Sequence, residues 1–253
     1  AGALLSAASD ADAAVRSAAC QALADLGSGC AAVAEDVLKA GQTAADAERA
    51  LLALALWRAS AAHRGDSLNM LAKLLASDSP AARVEAARVA GLIGPDAAAA
   101  APGLLTLLTD PEPDVRAAAA QALGAIGHAQ AVAPLADRLD DPSEFAREAV
   151  AAALGRIGPA AGQAAPRLAR ALQHDSAVHV RAECARALRR IGRTDKEILD
   201  ALRAAAKGRN EWVVSAAVRT LAALGDSEAA VEAHVRGLSA PDPQARAEAA
   251  RGL

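Results

Sequence analysis

The side chains in this sequence that could do chemistry are few and widely spaced. Its five histidines are His63, His128, His174, His179 and His234. None is followed by Glu, and none has another histidine three or four residues on, so the spacing with which helices hold zinc or iron is missing. The sequence also lacks a phosphate-binding glycine loop, a G-x-S-x-G turn and an H-E-x-x-H pattern. We therefore predict no catalytic residue, no metal site and no cofactor.

The cysteines do not suggest catalysis either. Cys20, Cys30 and Cys184 make an odd number, which disfavours a disulfide framework and favours a reducing compartment such as the cytoplasm. Cys20 and Cys184 fall within apolar helical patterns and are expected to be small core residues. Cys30 precedes a helix and is a candidate for exposure, and for a disulfide with Cys20.

Arginine is the remaining group with recognition chemistry. The net charge is −3, yet residues 156–209 contain 12 Lys and Arg against 5 Asp and Glu. The densest segment, RALRRIGR, contributes Arg186, Arg189, Arg190 and Arg193. Guanidinium groups bind carboxylates and phosphates, so this segment is a solvated helix face, a surface for an anionic protein or a surface for nucleic acid. Few aromatics lie among these arginines, which disfavours single-stranded nucleic acid.

The elements that carry these side chains are predicted to be helices. Of 253 residues, 77 are alanine, tyrosine is absent, and Trp57, Phe145 and Trp212 are the only aromatics. Alanine and leucine favour helices, whereas the β-branched and aromatic residues typical of strands are scarce. The longest uncharged run, residues 97–109, is shorter than the roughly 20 residues of a membrane-spanning helix. We predict an all-α fold with no membrane span.

An internal repeat organises the chain. The segment DPEPDVRAAAAQALGAIG, residues 110–127, recurs as DPSEFAREAVAAALGRIG at 141–158 and as DSAVHVRAECARALRRIG at 175–192. Including more divergent copies, eight frames follow one another at steps of 31 to 34 residues. Their common position is occupied by Arg16, Arg49, Arg83, Arg116, Arg147, Arg181, Val214 and Arg246. Such a period is typical of repeat proteins whose units stack on one another.

Each frame predicts two helices. Asp110, Asp141 and Asp175 stand where an N-cap belongs, and a glycine closes the first helix where a left-handed C-cap is needed. We predict first helices over 12–26, 46–59, 80–93, 112–126, 143–157, 177–191 and 210–224. We predict buried side chains at Leu123, Ile126, Leu154, Ile157, Leu188 and Ile191.

The motif D-P-x-x-x-V-R-x-x-A-x-x-A-L-G-x-I-G resembles the short bacterial HEAT-like repeat named after the phycobilisome lyases. The resemblance covers essentially residues 1–253 and implies a right-handed α-solenoid of about eight helix pairs. Both ends cut through a repeat, so we expect a single array that is a fragment of a longer protein. The resemblance also implies Asp–Arg hydrogen-bonded ladders between adjacent repeats, interrupted at the frames of Arg49 and Val214.

For function, the resemblance implies a non-catalytic scaffold that binds another protein on its concave face. The alternatives are a nucleic-acid-binding or base-excision protein with a basic groove and, less favoured, a phycobilin lyase-like subunit. Second helices line the concave side in this family. We therefore expect them to present a strip of cations to an acidic protein segment, unneutralised by carboxylates and beside Asp137, Asp140 and Asp141. The strip consists of Arg167, Arg170, Arg203, Lys207 and Arg236.

The three aromatic side chains are further candidates for contacting a partner. Phe145 and Trp212 occupy the same repeat position, held elsewhere by Asp114 and His179, and are expected to be at least partly exposed. Trp57 occupies a position that other frames fill with glycine. Each aromatic could alternatively fill a gap between imperfect repeats.

Overall fold

A computed structural model describes residues 1–239, 246, 247 and 250. Across these residues the chain forms α-helices and short 3-10 turns, without a strand. It divides into two compact units, Ala1–Ile126 and a second that begins at Gly127. The predicted all-α fold is confirmed. The last predicted frame, residues 240–253, lies outside the described residues except for positions 246, 247 and 250.

The first unit contains eight helices. They are α1 (Gly2–Ala7), α2 (Ala13–Leu26), α3 (Ala34–Thr43), α4 (Asp46–Ala59), α5 (Arg64–Leu75), α6 (Pro80–Ile93), α7 (Ala101–Leu107) and α8 (Pro113–Ile126). Its 3-10 turns are Gly27–Val33, Ala61–His63 and Gly94–Ala100.

The described part of the second unit continues the pattern. Its helices are α9 (Val132–Asp137), α10 (Glu144–Ile157), α11 (Ala165–His174), α12 (Val178–Ile191), α13 (Lys196–Ala206), α14 (Glu211–Ala223) and α15 (Ser227–Gly237). Its 3-10 turns are Ala129–Ala131, Arg138–Asp140 and Gly158–Ala164.

Helices of like position pack in layers within each unit. In the first unit the first helices of the repeats, α2, α4, α6 and α8, contact one another in succession. The second helices α3, α5 and α7 pack against α4, α6 and α8, respectively. In the second unit α10, α12 and α14 form one layer, and α11, α13 and α15 form the other. Every predicted first helix begins and ends within one residue of its expected bounds.

The core is made of aliphatic side chains between these layers. Leu123, Leu154 and Leu188 are fully inaccessible, and Ile126 and Ile191 are buried as predicted. Ile157, the last residue of α10, is only half-buried. Glycine faces alanine at two helix contacts, Gly91 against Ala122 and Gly155 against Ala187, and these small residues allow the helices to approach closely.

The predicted aspartate N-caps are wrong. α10 is capped by Ser143, whose hydroxyl accepts a hydrogen bond from the N–H of Ala146. Asp141 lies two residues earlier, and its carboxylate accepts a hydrogen bond from the N–H of Ser143 at 2.9 Å. Asp175 similarly accepts from the N–H of Ala177 at 2.8 Å. These aspartates therefore close a turn before the helix, which leaves carboxylate oxygen available for an arginine.

The glycines that end the first helices have the predicted positive φ. Gly192 adopts the left-handed conformation, with φ 79° and ψ 15°. Gly94 and Gly158 instead combine φ of 75° and 72° with ψ near −140°. A proline follows each of them, and proline disfavours helical ψ in the residue before it. Only glycine reaches this region without strain, so these two glycines turn the chain directly into a 3-10 turn.

The cysteine prediction needs one correction. Cys30 is fully buried, and its Sγ lies 3.4 Å from the carbonyl oxygen of Leu23, which accepts its hydrogen bond. Cys20 and Cys184 are buried as expected, and all three are free thiols. The 3-10 turn Gly27–Val33 folds Cys30 back onto the end of α2, which the sequence pattern did not indicate.

One stretch, Pro80–Leu107, is long and apolar enough to cross a membrane by length and composition, with a mean hydropathy of 1.2. In the structure it is not one helix. It consists of α6, the turn Gly94–Ala100 and α7, with the backbone redirected at Gly94. Core helices of a protein that does not enter a membrane have the same composition, so this stretch is weak grounds for a span.

Candidate functional site

The five predicted strip residues all lie on second helices of the second unit or directly after one. Arg167 and Arg170 are on α11, Arg203 is on α13, Lys207 follows α13, and Arg236 is on α15. The apolar face of each second helix packs against the core and so determines where its charged residues lie. On α11, for example, Leu168, Ala169 and Leu172 are buried. Charged residues between them are thereby directed away from the core.

The expectation that no carboxylate neutralises the strip is wrong. Arg167 donates a hydrogen bond to Asp137 of α9, one second helix earlier. Both side chains of this pair are about half exposed, 48% for Arg167 and 63% for Asp137. Arg170 is exposed and has no carboxylate partner in the part of the chain that the structure describes. Contact between successive second helices brings acids and bases of neighbouring repeats within ion-pair distance.

The same holds between α13 and α15. Nε of Arg203 lies 2.8 Å from Oδ2 of Asp226. Glu232 lies between two cations, 3.8 Å from Nζ of Lys207 and 3.2 Å from Nη2 of Arg236. The hydrogen bond to Asp226 raises the pKa of the Arg203 guanidinium above its ordinary value.

These charges line a shallow groove between α13 and α15. Its charged lining consists of Arg203, Lys207, Asp226, Glu228, Glu232 and Arg236. The groove contains no nucleophile beside a base. Among the described residues no group of three or more His, Cys, Asp or Glu could hold a metal ion. Its chemistry is limited to charge-assisted hydrogen bonding, which suits recognition.

The segment RALRRIGR is partly neutralised as well. Glu183 accepts from Arg186 at 2.8 Å and lies 3.7 Å from Arg190. Asp195 forms an ion pair with Arg193 at 2.6 Å. The excess of arginine in this segment therefore does not produce a continuous cationic surface in the structure.

The aromatic residues differ in accessibility. Phe145 is 67% exposed and Trp212 is 60% exposed, as expected for their repeat position. The ring of Trp212 contacts His179, with centroids 5.1 Å apart. Trp57 is half-buried, and the guanidinium carbon of Arg64 lies 4.8 Å from its ring centroid. Trp57 is thus partly covered, whereas the other two rings are largely exposed, and a partner-binding role for all three stays a prediction.

An Asp–Arg ladder joins successive repeats within each unit. Nε and Nη2 of Arg83 contact the carboxylate of Asp110 at 2.7 and 3.0 Å. In the second unit Arg147 contacts Asp175 in the same way, at 2.7 and 2.9 Å. Each arginine also uses Nη1 to bind the carbonyl oxygen of the residue six positions earlier in its own repeat, for instance Asp141.

Within residues 1–239 the Asp–Arg pair is absent at both predicted interruptions, although at the first one Nε of Arg16 contacts Oε1 of Glu48 in the next repeat at 3.2 Å instead. Nη1 of Arg49 pairs with Asp46 in its own repeat, and Asp46 in turn accepts from Ser77 of the next repeat at 2.8 Å. At the other interruption Arg181 has no carboxylate partner among the described residues.

Family models agree with this geometry. A model of HEAT repeats matches residues 101–189 and 165–253, and a model of the HEAT repeat matches residues 2–30. The chain belongs to the HEAT-repeat family. Its stacked helix pairs and its ladder are accordingly HEAT-repeat features.

Two solved structures of engineered proteins are similar to this chain. A crystal structure of an engineered protein matches with a TM-score of 0.60 and 25% sequence identity, covering 99% of this chain and 76% of that chain. A second engineered protein matches with a TM-score of 0.46 and 23% identity, covering 99% of this chain and 93% of that one. No curated protein is similar enough to count as a relative.

Sequence reasoning missed the acidic half of the site in this HEAT-repeat chain. Asp226 and Glu232 were not singled out, although they contact Arg203, Lys207 and Arg236. A signal was present, because both carboxylates precede or lie on the second helix that follows α13. Aligning opposite charges on successive second helices would have paired them.

Proposed function

We propose that this HEAT-repeat chain is a non-catalytic scaffold that holds an acidic segment of another protein along its second helices. HEAT repeats generally serve as protein-interaction scaffolds. The observation that carries the proposal is the groove between α13 and α15, where three cations and three carboxylates share one surface and the cations pair with Asp226 and Glu232.

The internal ion pairs of the groove are suited to exchange with a partner. Lys207 and Glu232 are each 60% exposed. Exposed ion pairs contribute only about 0–1 kcal/mol, because water screens them and long side chains lose entropy in holding them. A carboxylate from a partner can therefore replace Glu232 at Lys207 or Arg236 at little cost, and Arg170 on α11 extends the cationic surface.

The described residues do not favour the other two functions. Arg186, Arg190 and Arg193 are paired with carboxylates, which reduces the field that a nucleic-acid backbone would meet. The phycobilin alternative is based only on the name of the repeat, and neither the matched family models nor the similar solved structures support it.

Fluorescence anisotropy with a labelled twelve-residue peptide of alternating Glu and Ala tests the proposal. We expect the double substitution Lys207→Glu and Arg236→Glu to weaken binding by at least about tenfold, because each reversal replaces attraction by repulsion. Binding should also weaken as salt rises. Circular dichroism should be unchanged, since both side chains are exposed.

The matched control is Arg156→Glu combined with Arg219→Glu on the first helices α10 and α14, which changes the net charge equally. The proposal requires that this variant retain most of the affinity. Equal weakening by both variants would mean that the peptide responds to overall charge and that the groove is not the site.

A further inference from the structure

Arg181 is a ladder arginine for which the next described repeat supplies no carboxylate. Its register equivalent one repeat earlier, Arg147, binds Asp175 through Nε and Nη2. One step further along the chain, the residue 33 positions after Asp175 is Gly208. In this frame a glycine therefore replaces the ladder aspartate, so the position has no side-chain carboxylate.

The guanidinium of Arg181 is nevertheless held as in the complete ladder. Nη1 of Arg147 donates to the carbonyl oxygens of Asp141 and Pro142, at 2.7 and 3.3 Å. Nη1 of Arg181 donates likewise to Asp175 and Ser176, at 2.6 and 3.0 Å. Nε and Nη2 of Arg181 have no acceptor among the described residues, so two parallel donors are fixed in position without an anion.

The residues at the position of the missing acid are exposed, and an exposed aromatic ring lies nearby. Gly208, Arg209 and Asn210 are all exposed. Trp212, 60% exposed, rests against His179, two residues before Arg181 on α12. Arg209 adds a second cation beside the position of the missing acid.

We infer that Arg181 is a binding site for an aspartate side chain of a partner protein, inserted where the ladder lacks its own carboxylate. Two parallel N–H groups match the two oxygens of a carboxylate, as Arg83 and Arg147 show within this chain. An apolar residue next to that aspartate would cover the exposed face of Trp212. Arg181, Gly208 and Trp212 are not among the residues that line the groove between α13 and α15.

Nuclear magnetic resonance of the protein labelled with nitrogen-15 tests this site directly. The probe is the blocked tripeptide Leu-Asp-Leu. We expect it to shift the Arg181 Nε–H and the Trp212 indole N–H together, with one dissociation constant on the order of 1 mM. Blocked Leu-Asn-Leu, or acetate alone, should bind at least about tenfold more weakly, because each lacks one half of the match.

Substitution at Gly208 provides the decisive comparison without replacing Arg181 itself. Gly208→Asp restores the ladder acid, so it should shift the Arg181 Nε–H in the absence of peptide and weaken Leu-Asp-Leu binding at least about tenfold. A Cβ at this position would lie 3.0 Å from the carbonyl oxygen of Ala205, and Gly208→Ala is therefore the control for crowding.

The inference is overturned if Leu-Asn-Leu or acetate binds as well as Leu-Asp-Leu. It is also overturned if Gly208→Asp leaves binding unchanged, or if Gly208→Ala weakens it equally. The separate readout is the Arg181 Nε–H signal: in the Lys207→Glu and Arg236→Glu variant it should still shift with Leu-Asp-Leu, which distinguishes failure of this site from failure of the proposed groove.

Discussion

The guanidinium of Arg147 and the carboxylate of Asp175 form a two-point hydrogen-bonded pair across adjacent repeats. Their side chains are only 12% and 6% exposed. Burial alone would raise the pKa of Asp175. The hydrogen bonds from Arg147 and the N–H of Ala177, with the charges of Arg147 and Arg181, outweigh burial and lower that pKa below its ordinary 3.8.

We expect Asp175→Asn to lower the free energy of unfolding at pH 7 by about 2–3 kcal/mol, because it removes charge-assisted hydrogen bonds from a nearly buried arginine. Chemical denaturation measures this loss. The control is Asp137→Asn, whose pairing with Arg167 is about half exposed and should cost less than about 1 kcal/mol. Equal losses would show that burial adds nothing to the ladder.

The same pair predicts a pH dependence. A carboxyl group whose folded pKa is lowered stabilises the protein above its unfolded pKa, and this contribution disappears as pH falls through the folded value. The stability difference between the natural chain and Asp175→Asn should therefore be full at pH 7 and shrink below about pH 3.8. A difference that stays constant as pH falls to 2 would contradict the lowered pKa.

Leu154→Ala should destabilise the second unit by about 2–5 kcal/mol, because Leu154 is fully inaccessible and its removal leaves a cavity. Repeats contact mainly their neighbours, so hydrogen exchange should accelerate most in α10 and the helices packed on it. Leu92→Ala is the control, since Leu92 is 52% exposed and should change stability by less than about 0.5 kcal/mol.

Helix positions could be predicted from the sequence because eight aligned copies of the repeat indicate the same helix start and end. The hydrogen bonds at the helix N-termini could not be predicted. An aspartate at position 141 or 175 can either cap the helix or close the turn before it, and the repeat motif does not distinguish these two roles. The strip cations were placed on the correct helices for the same reason. Their neutralisation by Asp137 and Glu232 depends on how neighbouring second helices rotate and how far side chains reach, which periodicity does not specify.

Two glycines at helix contacts, Gly155 on α10 and Gly91 on α6, are predicted to respond differently to the addition of one methyl group. A Cβ on Gly155 would lie 2.9 Å from Cα of Ala187, whereas a Cβ on Gly91 would lie 3.3 Å from Cα of Ala122. Alanine in a helix is worth up to about 1 kcal/mol over glycine. Gly155→Ala should still be net destabilising by about 1–3 kcal/mol, since backbone must move, and Gly91→Ala should be near neutral. Thermal unfolding of the two variants compares them directly, and a stabilised Gly155→Ala would mean that α10 and α12 are less closely packed.

The three cysteines should be unreactive in the folded chain. Burial, followed by the nearby charge of Glu48, raises the pKa of the Cys20 thiol to about 11, against the opposing effect of Arg16. Burial also raises the pKa of Cys30 and of Cys184. Because the thiolate is the nucleophile, a rise from 9.0 to about 11 lowers the reactive fraction of Cys20 at pH 8 about 100-fold.

We therefore expect iodoacetamide at pH 8 to modify none of the three thiols at an appreciable rate in the native protein, and all three in concentrated urea. Mass spectrometry of digested protein identifies each site. Cys30 is the informative residue, because its burial depends on the 3-10 turn Gly27–Val33 folding onto α2. Rapid native labelling at Cys30 alone would show that this turn opens readily, whereas labelling at Cys184 would require α12 to separate from helices packed on it.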